Sequence, residues 1–208
     1  MARSSRASSG TAIRLALAMA VAAVSAVSAH RLDEYLQAAR LAVEPGRVDV
    51  ELDLTPGVSV AEAIIADIDR NRDGSLSVEE TRDYERRVLN AIAMEIDGQA
   101  IRLQPGAATF PDPGAFRRGD GTIRLRSTAA LPALSTGAHQ LLFRNRHRRD
   151  LSVYLANALV PDSDEIAISA QRRDGDQSEL TIEFVSRPAA PGLWRSASLW
   201  LAAARSRP

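Results

Sequence analysis

The chain has 208 residues, 45% of them hydrophobic, and its 26 basic residues balance 26 acidic ones. That apolar share excludes a fully disordered chain. Every basic residue is arginine and alanine is abundant, a composition that fits a GC-rich genome and gives no ground for a nucleic-acid partner. With no cysteine, disulfide scaffolds, cysteine-ligated zinc, a thiol nucleophile and cysteine lipidation are excluded.

Residues 1–29 read as an export leader. Arg3, Arg6 and Arg14 form a positive start, Leu15 to Val24 an apolar core, and Ser25 to Ala29 the small residues a signal peptidase needs. The apolar run is shorter than the roughly 20 residues that span a bilayer, so an uncleaved anchor is the lesser alternative. Cleavage after Ala29 leaves His30 as the new N-terminus. Taking the three leader arginines from 26 leaves 23 basic against 26 acidic residues in the mature chain. The expected location is periplasmic or secreted.

Most of the remaining chain reads as β-structure. Tyr35 to Val43 and Val48 to Leu54 flank the turn pair Pro45-Gly46. In the second run, Val48, Val50, Leu52 and Leu54 alternate with Asp49, Glu51 and Asp53, the period of a half-buried strand. Ala93 to Ile96 and Ile101 to Leu103 flank Asp97-Gly98, a strong hairpin signal. Gly106 to Gly119 is expected to be a long loop. Further strands are expected at Thr122 to Ser127, His139 to Arg144, Leu151 to Leu159, Glu165 to Arg172 and Glu179 to Val185, the last two joined at Asp174-Gly175.

One stretch breaks this rhythm. Ser59 to Ile68 and Val78 to Ile92 place apolar residues at helical spacing around an acidic loop, Asp69-Arg70-Asn71-Arg72-Asp73-Gly74-Ser75-Leu76-Ser77-Val78-Glu79-Glu80. Calcium takes six to eight oxygens, and a loop of this kind supplies them from alternate positions. Here these are the side chains of Asp69, Asn71 and Asp73, the carbonyl of Ser75, Ser77 directly or through water, and both oxygens of Glu80. Gly74 takes the sharp turn, and Leu76 pins the loop to the core. Loop and flanks together resemble the EF-hand family over Val60 to Leu89. The resemblance implies calcium as the bound ion. Asp69, Asp73 and Glu80 leave one negative charge after neutralising it. A single exported site of this charge is expected near 10⁻⁴–10⁻³ M, which suits structure better than signalling.

The fold expected is α+β, mainly an antiparallel β-sandwich with an inserted EF-hand helix–loop–helix. It divides as a signal peptide over 1–29, a sandwich domain over 30–187 with the insertion at 59–92, and a C-terminal tail over 188–208. The tail holds Trp194, Trp200 and the apolar patch Leu199 to Ala204. It reads as a weakly ordered helix, with an interfacial segment contacting the membrane or a frayed end as alternatives.

An alternative metal reading rests on His30, whose amino nitrogen and imidazole would chelate copper or nickel in a periplasmic accessory protein, with His139 or His147 completing the site. Otherwise those two are strand-end histidines. The run Arg144-Asn145-Arg146-His147-Arg148-Arg149 reads as a solvated turn. No catalytic constellation stands out, and the chain is not expected to be an enzyme.

Three fragments, His30 to Leu36, Leu54 to Val58 and Ser152 to Pro161, resemble a group of exported bacterial proteins with no assigned chemistry. They are also loosely similar to the periplasmic portion ahead of permeases of the hydrogenase/urease nickel accessory type. A protein partner at the cell envelope, not identifiable from sequence, is expected beside the calcium ion.

Overall fold

The computed structural model describes residues 33–188. The leader expected at 1–29, His30 and the tail beyond Pro188 lie outside the described residues. Ten strands form two five-stranded sheets among those described. One contains β1 (Tyr35–Glu44), β2 (Arg47–Pro56), β5 (Leu103–Thr109), β6 (Ile123–Ala130) and β8 (Ser152–Ala158), ordered β5-β6-β2-β1-β8. The other contains β3 (Ile92–Ile96), β4 (Gln99–Ile101), β7 (Gly137–Asn145), β9 (Ile166–Arg173) and β10 (Glu179–Ser186), ordered β4-β3-β7-β10-β9. The helices are α1 (Ala61–Ile68), α2 (Val78–Asn90) and α3 (Pro113–Arg118). This is a sheet-dominated α+β fold, antiparallel except where β1 pairs in parallel with β8.

The alternation in β2 shows why these residues make strands. Val48, Val50, Leu52 and Leu54 are buried, while the opposite face carries an ion-pair ladder. Arg40 on β1 bridges Glu51 and Asp53, and Arg126 on β6 reaches Glu51 from the other side. Cross-strand pairs of this exposed kind contribute roughly 0.2–1 kcal/mol each, so burial of the inner face dominates. Between β3 and β4, Asp97 at φ 50° and Gly98 at φ 80° form the two-residue turn whose twist matches the strands. The β9–β10 connection contains Asp174-Gly175, where the sequence places it. Gln177, not Gly175, takes positive φ there, at 57°.

The long loop expected over Gly106 to Gly119 is not a loop throughout. Its first part extends β5, which pairs with β6 across a register shift between Pro105 and Ala108. At Gly106 an added Cβ would lie 2.6 Å from the Arg126 carbonyl, so only glycine permits this approach. Its second part is α3, with Pro113 in the first turn and the Asp112 carboxylate accepting from the Ala115 N–H at 3.1 Å. Small residues and prolines hid both elements, because neither alternates nor repeats at helical spacing.

Both sheets and all three helices of the described chain feed one continuous hydrophobic core. Helix α1 contributes Ala61, Ile64, Ile65 and Ile68; α2 contributes Tyr84, Val88 and Leu89; α3 contributes Phe116. At eight residues α1 is too short to persist alone, so its packing on the core is what keeps it helical. That packing fixes where the loop between α1 and α2 begins.

Candidate metal centre

The segment from Asp69 to Glu80 leaves α1 and enters α2 within twelve residues. Asp69 closes α1, its N–H donating to the Ile65 carbonyl at 2.7 Å. Arg72 at φ 60° and Gly74 at φ 83° then reverse the chain. The left-handed conformation costs a glycine little and a side-chain-bearing residue more. Arg72 bears that cost because the surrounding N–H groups are held on both sides.

Three alternate side chains organise the turn. Asp69 accepts the N–H of Asp73 at 3.2 Å on one oxygen and that of Gly74 at 2.9 Å on the other. Asn71 Oδ1 accepts from the Asp73 N–H at 2.9 Å, and Asp73 accepts from the Ser75 N–H at 2.8 Å. Leu76 is half-buried against the core. The residue types expected to supply cation oxygens are thus the ones that also shape the loop.

Glu80 closes the segment from its far end. One carboxylate oxygen accepts from the N–H groups of Arg70 at 2.8 Å and Asn71 at 3.2 Å. The other accepts from the Ser77 N–H at 3.0 Å and the Ser77 hydroxyl at 2.7 Å. The Ser77 hydroxyl accepts in turn from the Glu80 N–H at 3.2 Å, completing a capping box at the start of α2. These donors, the Ser77 hydroxyl foremost, hold the Glu80 carboxyl down to about 2, so it is ionised throughout the physiological range. The Ser-x-x-Glu spacing that announces such a box is present in the sequence, a signal beyond the ion-ligand pattern.

Asp69 and Glu80 are buried, while Asn71, Asp73, Ser75 and Ser77 are exposed. The donor set suits a hard cation: carboxylate, amide, carbonyl and hydroxyl oxygens at alternate positions, and no nitrogen or sulfur ligand. The carboxylates are not drawn together, however. Among the described residues no three His, Cys, Asp or Glu side chains stand as a ready metal cluster. N–H groups on separate parts of the loop hold Asp69 and Glu80 instead.

Beside the loop, a cleft of about 720 Å³ opens between Gly74–Val78 and the segment from Ala108 to Gly114. Phe110 from that segment meets Tyr84 of α2 edge-on, ring centroids 6.2 Å apart. The Arg117–Glu62 pair links α3 to α1 along the same side.

The two described histidines are not simple strand-end residues. His139 Nδ1 faces an Asp97 carboxylate oxygen at 2.7 Å and Nε2 faces the Ser135 carbonyl at 2.8 Å. Those partners, Asp97 first, raise its pKa. His147 is buried, and its Nε2 lies 3.1 Å from the Tyr84 hydroxyl, itself 2.8 Å from the Tyr35 hydroxyl. Burial, reinforced by the neighbouring Arg148 charge, lowers the imidazole to about 4. The neutral His147 ring and the two phenols thus form a buried hydrogen-bonded chain, and burial raises both phenols. His139 could join a metal at His30 only by giving up one of its two bonds, and His147 already has its Nε2 engaged. Nothing in local sequence announces the network, since Gln37, whose amide donates to the His147 carbonyl at 2.8 Å, is 110 positions away.

Compared with known proteins, the chain matches no family model and no curated protein.

Proposed function

We propose that this chain binds one calcium ion through an EF-hand formed by α1, the Asp69–Glu80 loop and α2. In this reading the ion stiffens the helix pair against two sheets packed as a β-sandwich, in an exported protein. One observation carries it: a twelve-residue oxygen-bearing loop lies between two packed helices, with Gly74 in the left-handed turn and buried acidic groups, Asp69 and Glu80, at its ends. Asp69, Asn71, Asp73, the Ser75 carbonyl, Ser77 and Glu80 would hold the ion. Bound calcium supplies positive charge where three carboxylates otherwise rely on N–H groups.

The role is structural rather than catalytic or signalling. Only one such loop is present in the sequence, and its net charge points to the weak end of the range, about 10⁻⁴–10⁻³ M. The leader pattern of residues 1–29 supports placing the protein in the periplasm or outside the cell, where millimolar calcium would fill such a site. Shared attachment of both sheets to one core supports the sandwich arrangement.

Calorimetric titration of the full chain with calcium tests the reading. One ion per chain is expected, with heat that disappears in Asp69→Ala. A flat titration up to 10 mM calcium, or an unchanged curve in Asp69→Ala, would refute it.

A further inference from the structure

The connection between β7 and β8, residues 146–151, crosses from one sheet to the other and touches the helix pair at three places. The Arg146 N–H donates to the carbonyl of Ala91, just past the end of α2, at 3.0 Å. His147 engages Tyr84, one turn of α2 beyond Glu80. Arg148 forms an ion pair with Asp67, two residues before Asp69, and its remaining guanidinium nitrogens bind Asp150 at 3.1 and 3.2 Å. Arg87 of α2 completes the bracket by donating to the Asp67 carbonyl and lying over the Tyr84 ring, 5.5 Å from its centroid.

The connection is itself tightly held. The His147 carbonyl accepts from Gln37, Ser152 and Tyr154 side chains, and its N–H donates to the Asn145 side chain at 2.9 Å. Arg148 sits at φ 48°, a left-handed conformation that an arginine keeps only when its surroundings fix it. A rigid connection therefore grips the chain just before the first donor and one helical turn after the last.

Resting on the calcium reading above, we infer that residues 146–150 form a clasp that positions the ion loop, with Arg148 and His147 as positioning residues acting through Asp67 and Tyr84. The clasp sets the separation of the two loop ends, so calcium affinity depends on residues that never touch the ion. The sign of one substitution distinguishes this from charge alone. Arg148 is a cation near a cation site, and if only Coulomb's law mattered its removal would tighten binding. If the clasp holds the loop, its removal loosens binding, roughly tenfold by analogy with residues that orient metal ligands.

The test is calcium affinity of the full-length protein and its Arg148→Gln variant, measured well below the melting point of each. Arg148→Gln is expected to raise Kd roughly tenfold, and Arg148→Lys to recover part of the loss. A Kd that is unchanged or lower in folded Arg148→Gln, even with a reduced melting temperature, overturns the clasp and leaves the calcium reading intact. If that variant does not fold, Tyr84→Phe, which removes one hydroxyl and no charge, answers the same question: a raised Kd supports the clasp and an unchanged one overturns it. No calcium binding by the unsubstituted chain overturns both.

Discussion

Two histidines of this chain sit in opposite electrostatic settings, and their protons bear on stability with opposite sign. His139 has an oxygen acceptor at each ring nitrogen, so both bonds form only when both nitrogens carry protons. With its folded pKa raised, its contribution is fully present below the ordinary imidazole value and fades as pH rises through the folded value. His147 is depressed from 6.5 to about 4. As pH falls through that interval the unfolded chain binds a proton that the folded chain refuses, a loss of about 3 kcal/mol when complete. His147→Gln is therefore expected to flatten the fall in melting temperature between pH 7 and 4.5, and His139→Gln to steepen it. Thermal melts across that range check both, and an unchanged slope in His147→Gln would contradict the account.

At the scale of elements, the helix–loop–helix is held by packing more than by its own propensity. Helix α1 begins after Val60, which provides no side-chain cap, and has only eight residues, four of them buried. Ile64 is fully buried, and Ile64→Ala is expected to cost about 2–5 kcal/mol through lost contacts and the space left behind. Denaturant unfolding measures this; a loss below about 1 kcal/mol would mean α1 is not anchored as described. Helix α2 differs, because its capping box is written locally in Ser77 and Glu80. The same Glu80 is the last candidate ligand, so helix initiation and the proposed ion binding would draw on one carboxylate.

What could be read from sequence follows from how local each signal is. The alternation of Val48 to Leu54, the Asp97-Gly98 turn and the spacing of Ala61, Ile64, Ile65 and Ile68 are periodic or adjacent, and the structure places strands, turn and helix there. The candidate loop was legible for the same reason, all its oxygen groups lying within twelve residues. Two elements were hidden because proline, glycine and alanine at 105–114 carry no period. The parallel pairing of β1 with β8 and the Tyr35–Tyr84–His147 chain were hidden because their members are far apart in sequence. The arginine run at 144–149 shows the limit plainly. It looks like a solvated turn, yet Arg148 is anchored to Asp67, and that contact exists only once the sheets have formed.

For the molecule as a whole, we propose that calcium adds stability through the Asp69–Glu80 loop. An ion that binds only the folded chain with Kd near 10⁻⁴–10⁻³ M contributes about 1.4–2.7 kcal/mol at 10 mM. For a chain of this size that corresponds to a rise of about 3–10 °C in melting temperature. The most direct measurement is the thermal midpoint of the full chain in 10 mM calcium against the same protein in chelator, repeated with Asp69→Ala. Calcium is expected to raise the midpoint of the unsubstituted protein and not that of the variant; equal midpoints with calcium and with chelator would refute calcium binding by the loop.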